Sequence, residues 1–111
     1  MKTSDLLQQV HDLLEPNGAW GQAAPARDAK GNVLASTSQL AVCWCLIGAV
    51  QNVCYKNETT CYLVDKALLG TLAVLTGGIN PSYVSYNDTH THREVLDLVL
   101  AARDREAANG R

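Results

Sequence analysis

The feature that most constrains this chain is the uncharged stretch from Leu40 to Val50, LAVCWCLIGAV, in which only a glycine interrupts the apolar residues. Together with the apolar residues that continue to Tyr55, it is too long for an ordinary strand and well short of the ~20 apolar residues that span a bilayer. It reads as a buried helix of a soluble protein. Ser36 followed by Gln39 has the spacing of a capping box, which would satisfy the free amides of the first turn just before the run begins. A helix is therefore expected over 38–55. At helical spacing one stripe carries Leu40, Trp44, Ile47 and Cys54, and a second carries the short side chains of Ala41, Cys45, Gly48 and Asn52. An interior glycine costs about 1 kcal/mol relative to alanine, so Gly48 marks a point where something approaches the helix backbone. A neighbouring helix is the preferred occupant of this narrow groove, ahead of an inserted loop or a ligand.

The rest of the chain supplies partners for that helix. Leu6, Leu7, Val10, Leu13 and Leu14 line one face of a first helix, expected over 4–15, capped by Thr3 or Ser4 and stopped by Pro16-Asn17-Gly18. His11 sits at the edge of this apolar stripe and reads as a boundary residue. Between Ala19 and Ala35 the composition turns to alanine, glycine and proline, and Asp28-Ala29-Lys30-Gly31-Asn32 reads as a tight turn in a short irregular hairpin. A third helix is expected over 60–75, capped by Thr59 or Thr60 and ended by Thr76-Gly77-Gly78, although Thr71 to Thr76 also has strand propensity. Its buried stripe is Cys61, Val64, Leu68, Leu72 and Leu75, with Asp65 and Lys66 in water. Asn80-Pro81-Ser82 reads as a turn, and Asn87 to His92 as a polar bend. Thr91 with Glu94 forms a capping box for a last helix over 92–107, with Val95, Leu96, Leu98, Val99 and Ala102 turned inward. The expected fold is mainly α: a four-helix single domain, residues 1–111, with a buried central helix and a short irregular hairpin between helices 1 and 2.

Charge and cysteine usage exclude several function classes. A chain of 111 residues with a net charge of -2 and scattered cations has no basic excess to neutralise phosphates, so nucleic acid is not an expected partner. No segment has the pattern of a secretion signal or of a membrane span, which makes the cytoplasm the expected compartment. In that reducing setting Cys43, Cys45, Cys54 and Cys61 behave as small buried hydrophobes. A turn joining antiparallel helices would bring Cys54 and Cys61 together, and only an oxidising compartment would bridge them.

Trp20 near Gln22 to Ala24, the run Ala26-Arg27-Asp28-Ala29-Lys30-Gly31-Asn32, the segment Trp44-Cys45-Leu46-Ile47-Gly48-Ala49, and Tyr86-Asn87-Asp88 before Val95-Leu96 are four motifs covering most of the chain. In them the sequence resembles a family of small uncharacterised bacterial and phage proteins. The resemblance implies no activity, but directs attention to Trp20, Arg27, Asp28, Trp44, Cys45, Tyr86, Asn87 and Asp88. His90 and His92 depart from that pattern.

Three functions compete on these residues. A thiol enzyme would use Cys45 as nucleophile, His92 or His90 as base and Asp88 as orienter, but a thiol two turns inside an apolar helix is held protonated by burial. A metal site would use His90, His92, Asp88 and Cys45; Cys43 and Cys45, about 200° apart on a helix, cannot share an ion with each other. The preferred reading is a non-enzymatic binding module without a cofactor. In it the Asn87-Asp88 turn lies over the small-residue face that includes Cys45, with Trp44 or Tyr86 as an aromatic wall, Trp20 as a further contact residue and Arg27 available to an anionic group. The expected partners are a small-molecule ligand or a host protein that the chain inhibits, with no nucleic acid and no membrane. Self-association into a homo-oligomer is left open.

Overall fold

The first helix follows directly from the sequence. In a computed structural model, which describes residues 1–78 and 82–111, α1 spans Thr3–Leu14 and buries Leu6, Leu7, Val10 and Leu14. Its cap is Lys2 rather than Thr3 or Ser4; both lie in the first turn and are buried, while the Lys2 amide donates to Asp5 at 3.1 Å.

After α1 the chain runs through Trp20 into β1 (Ala26–Arg27), turns at Asp28, and returns as β2 (Val33–Leu34). The turn is built as the sequence predicts: one Asp28 carboxylate oxygen accepts the amides of Lys30 and Asn32, each at 2.9 Å. These hydrogen bonds hold the Asp28 carboxyl below the usual carboxylate range, the Asn32 side chain contributing most.

The uncharged stretch then departs from expectation. Residues 38–45 are not helical: Cys43–Trp44 is β3, which pairs antiparallel with β1 to give a three-stranded sheet of order β2-β1-β3. Ala26 faces Leu34 on one side and Trp44 on the other. The helix α2 begins only at Leu46 and ends at Lys56. The physical reason is that an apolar run does not by itself distinguish a buried helix from a strand. Val42 and Trp44 favour extended backbone, and β1 presents an unpaired edge, so the first half of the run joins the sheet. Ser36 is consequently no cap; its carbonyl accepts from the indole of Trp44 at 3.0 Å and the amide of Asn52 at 2.9 Å. Leu40 and Val42, assigned above to the apolar run, are 70% and 50% exposed.

Helix α3 spans Tyr62–Leu75, so residues 71–75 are helix and not strand. Its cap is Cys61 instead of a threonine, and the chain leaves it through Gly77 and Gly78, both at positive φ. Leu75, expected inside, is exposed, and Asp65, expected in water, accepts a short hydrogen bond from the Tyr83 hydroxyl. A further helix, α4 (Tyr83–Thr89), stands where a bend was expected, so five helices replace the expected four among the described residues. Ser82 starts it, its hydroxyl accepting the Ser85 amide at 3.1 Å. The Asn80-Pro81 part of the expected turn lies outside the described residues. Helix α5 (His92–Ala108) has the predicted Thr91–Glu94 capping box, and burial of Val95, Leu98, Val99 and Ala102 agrees with its pattern.

The core is a single cluster contributed by all five helices, with α1 packed chiefly on α5 and α2, and α3 on α5. The small sheet lies at the N-terminal end of α2, and α4 contacts α2 there. This places the loop after α1, the start of α2 and the end of α4 together. Among the described residues no helix is long and apolar enough to cross a membrane.

Candidate functional site

An α-helix begins with amides that have no partner in the helix itself. In α2 two side chains supply partners. The Cys45 thiol, at the cap position, accepts the Gly48 amide at 3.4 Å, and the Asn87 side-chain oxygen accepts the Leu46 amide at 3.0 Å. The same oxygen accepts the indole N–H of Trp20 at 2.7 Å. The Asn87 amide nitrogen donates to the Gly21 carbonyl and to Asp88, both at 3.1 Å. Asn87 is 1% exposed, so a fully used amide side chain ties α4, α2 and the Trp20 loop into one knot. Gln22 adds to it by donating to the Asn87 and His90 carbonyls at 3.0 and 3.2 Å.

Asp88 continues the knot outward. Its carboxylate accepts the Ala23 amide at 3.0 Å. Ala23 has a φ of 65°, a left-handed conformation costing an alanine about 1–2 kcal/mol, so the carboxylate holds the loop in a shape it would not adopt alone. Two residues on, Pro25 runs against α2. A methyl group at Gly48 would lie 1.9 Å from the Pro25 carbonyl oxygen. The close approach that Gly48 signalled is therefore real, and its occupant is an inserted loop rather than a neighbouring helix.

Between that loop, the start of α2 and α4 lies a cleft of ≈ 230 Å³ lined by Ala23, Ala24, Pro25, Cys45, Ile47, Val84 and Asp88. Its walls are apolar except for the Asp88 carboxylate and the Cys45 sulfur. Cys45 is 6% exposed. Burial pushes its thiol up and the nearby Asp88 carboxylate adds to that, against the lowering effect of the Gly48 and Ile47 amides; the net direction is upward. The thiol thus stands at a helix start, not two turns within a helix, and lines an opening.

The histidines serve elsewhere. His92 stacks on Trp20 with ring centroids 5.3 Å apart, and its Nε2 donates to the Leu14 carbonyl at 2.7 Å. His90 stacks on Tyr86 at 3.7 Å and donates from Nδ1 to the Tyr86 carbonyl at 2.9 Å. Among the described residues no hydrogen bond joins Cys45 to an imidazole, and no three histidine, cysteine, aspartate or glutamate side chains gather to hold a metal ion.

Of the predicted ligand residues, Trp20, Cys45, Asn87 and Asp88 come together, but only Cys45 and Asp88 line the cleft. Trp44 pairs with Ser36, Tyr86 is occupied by His90, and Arg27 donates to the Gly31 carbonyl at 3.1 Å within its own turn. The lining residues that sequence reasoning missed, Ala23, Ala24, Pro25, Ile47 and Val84, have side chains without chemistry of their own. Gly48 was their one signal, since its missing side chain is what admits Pro25.

No curated protein matches the chain, and no solved structure does. A family model matches residues 1–105, covering the Trp20 loop, the start of α2 and all of α4. The chain belongs to the family of unknown function DUF6197.

Proposed function

We propose that the protein is a non-enzymatic binding module. Its cleft at the start of α2 takes a small ligand that carries an apolar body and one cationic or hydrogen-bond-donating group. The supporting observation is the composition of the cleft: Asp88 supplies its carboxylate, and alanine, proline, isoleucine and valine supply most of the remaining lining. A carboxylate at the open rim of an apolar wall attracts a donor or a cation and repels an anion. Arg27, held in its hairpin turn, lies outside the cleft lining, so the ligand chemistry is taken from Asp88. The resemblance to bacterial and phage proteins supports an accessory role in which such binding sequesters a small molecule or occupies a host protein.

A cysteine-dependent enzyme is the second reading, favoured by the position of Cys45 at the head of a helix and on the cleft. Against it stand the upward shift of the thiol and the engagement of both histidines with backbone carbonyls.

Titration with isobutylamine, isobutanol and isobutyrate, followed by amide chemical shifts, tests the binding reading. The amine is expected to shift Ala23, Ile47 and Val84 most and isobutyrate least, with the preference lost in Asp88→Asn, which keeps an oxygen for the Ala23 amide. Equal response to amine and carboxylate, or none, overturns it. Modification of Cys45 by iodoacetamide at the rate of an activated thiolate would transfer support to the enzyme.

A further inference from the structure

Two thiols meet where α2 hands over to α3. Cys54 stands in the last turn of α2 with 1% of its surface exposed, and Cys61, the cap residue of α3, packs against the core while staying partly open to solvent. The connection folds back on itself. The Thr59 amide donates to the Cys54 carbonyl at 3.0 Å, and Glu58 takes a φ of 53° to make the reversal. Unlike Cys45, whose sulfur accepts an amide of its own helix, Cys61 uses its side chain in no cap and turns it to Cys54, thiol hydrogen-bonded to thiol. The other two cysteines lie at the far end of α2, Cys43 in β3 and Cys45 at the helix start.

We propose that Cys54 and Cys61 are a reversible dithiol-disulfide couple that latches the junction of α2 and α3, closed by a low-molecular-weight disulfide such as oxidised glutathione. Access sets the order of events. The Cys61 thiolate attacks one sulfur of the small disulfide; that S–S bond breaks, a mixed disulfide forms and one thiolate leaves. Cys54 then loses its proton and attacks the Cys61 sulfur, expelling the second thiolate. Two protein thiols are oxidised, one small disulfide is reduced to two thiols, and the two protein protons end on the released thiols. Burial first, then the hydrogen bond and charge of Cys61, push the Cys54 thiol up to about 12, so the reduced pair resists brief exposure to oxidant. Engaging Cys61 in the mixed disulfide removes its charge and its part in that hydrogen bond, and the first step thereby primes the second. The bond closes across a turn that backbone hydrogen bonding has already drawn together, so it holds an existing shape against opening. The same junction reaches α4, because the Asp65 amide donates to the Cys61 carbonyl at 2.8 Å and its carboxylate accepts the Tyr83 hydroxyl. None of this depends on what the cleft beside Asp88 binds.

The test holds the reduced protein in glutathione buffers of increasing oxidised fraction, quenches it with acid and maps the cysteines by tandem mass spectrometry. A link between Cys54 and Cys61 is expected, lighter by the two thiol hydrogens and reversed by dithiothreitol. In the linked form, hydrogen exchange of the Thr59 amide should slow at least tenfold. Cys54→Ala should stop at a glutathione adduct on Cys61. Cys61→Ser, which alters the less buried partner, should leave Cys54 without adduct or link, and Cys43→Ser should link as wild type does. Wild-type Cys61 that remains a mixed disulfide or unreacted, or a link that joins Cys43 or Cys45, overturns the couple. A link that leaves Thr59 exchange unchanged overturns the latch.

Discussion

The side-chain oxygen of Asn87 accepts the backbone amide of Leu46 at 3.0 Å, so a residue of α4 completes the cap of a helix that began 41 positions earlier. Helix caps are ordinarily local, supplied by the residue just before the first turn. Here the local position is filled by Cys45, whose thiol is a weak acceptor, and the stronger one is imported from α4.

Asn87→Ala should therefore be a stability variant. It leaves the Leu46 amide and the Trp20 indole without their shared acceptor in a buried place, and each such loss costs about 1–3 kcal/mol. A drop of about 2–4 kcal/mol in urea unfolding, with an unchanged slope, is expected. A loss below about 1 kcal/mol would show that the knot is dispensable.

Gly48→Ala tests the loop approach. Helix propensity alone would make the variant more stable by about 1 kcal/mol. The new methyl carbon would instead meet the Pro25 carbonyl at 1.9 Å and force the loop or the helix to move. The expected result is a net loss of about 1–3 kcal/mol, read from the melting curve.

The four thiols should separate by reactivity. Cys43 and Cys61 are partly exposed, whereas Cys45 and Cys54 are buried. Burial and the Cys61 thiol hydrogen-bonded beside it push the Cys54 thiol up to about 12, so it stays protonated at neutral pH. With a thiol reagent near pH 8, Cys43 and Cys61 should label quickly and the other two only on unfolding. The contact between Cys54 and Cys61 matches the proximity expected from the turn between α2 and α3, and both are free thiols.

Alkaline pH should destabilise the fold in a defined window. The Cys54 value rises from 9.0 in the unfolded chain to about 12 in the fold. A raised folded value means that the stabilisation is fully present below the unfolded value and is lost as pH climbs through the folded one. Tyr83 acts in the same sense from its ordinary value of 10.0, raised by burial first and then by the Asp65 carboxylate that its hydroxyl donates to. Melting temperature is expected to fall progressively from about pH 9 upward. Cys54→Val and Tyr83→Phe should each flatten part of that fall; a flat profile in wild type would contradict the assignment.

Local signals account for the parts of the fold that were legible in advance. Leu6, Leu7, Val10 and Leu14 repeat at helical spacing and need only a core to face, Asp28 can satisfy its turn amides alone, and Thr91 with Glu94 caps α5 from three residues away. The Leu40–Val50 stretch was legible as uncharged and largely apolar but not as one element. Whether Cys43 and Trp44 extend or coil depends on the free edge of β1, which lies 17 residues back in the register that sets Arg27 against Val33 on one side.

Sequence alone determined where the chain is amphipathic, where it must turn and which residues are apolar, because these depend on spacing and on neighbours within a turn or two. Tertiary structure alone decided that Cys45 heads a helix, that Asn87 is fully used within the fold, and that Pro25 rather than a helix presses on Gly48. Each of these is a hydrogen bond or a contact between segments distant along the chain, and no local pattern records which distant partner will arrive.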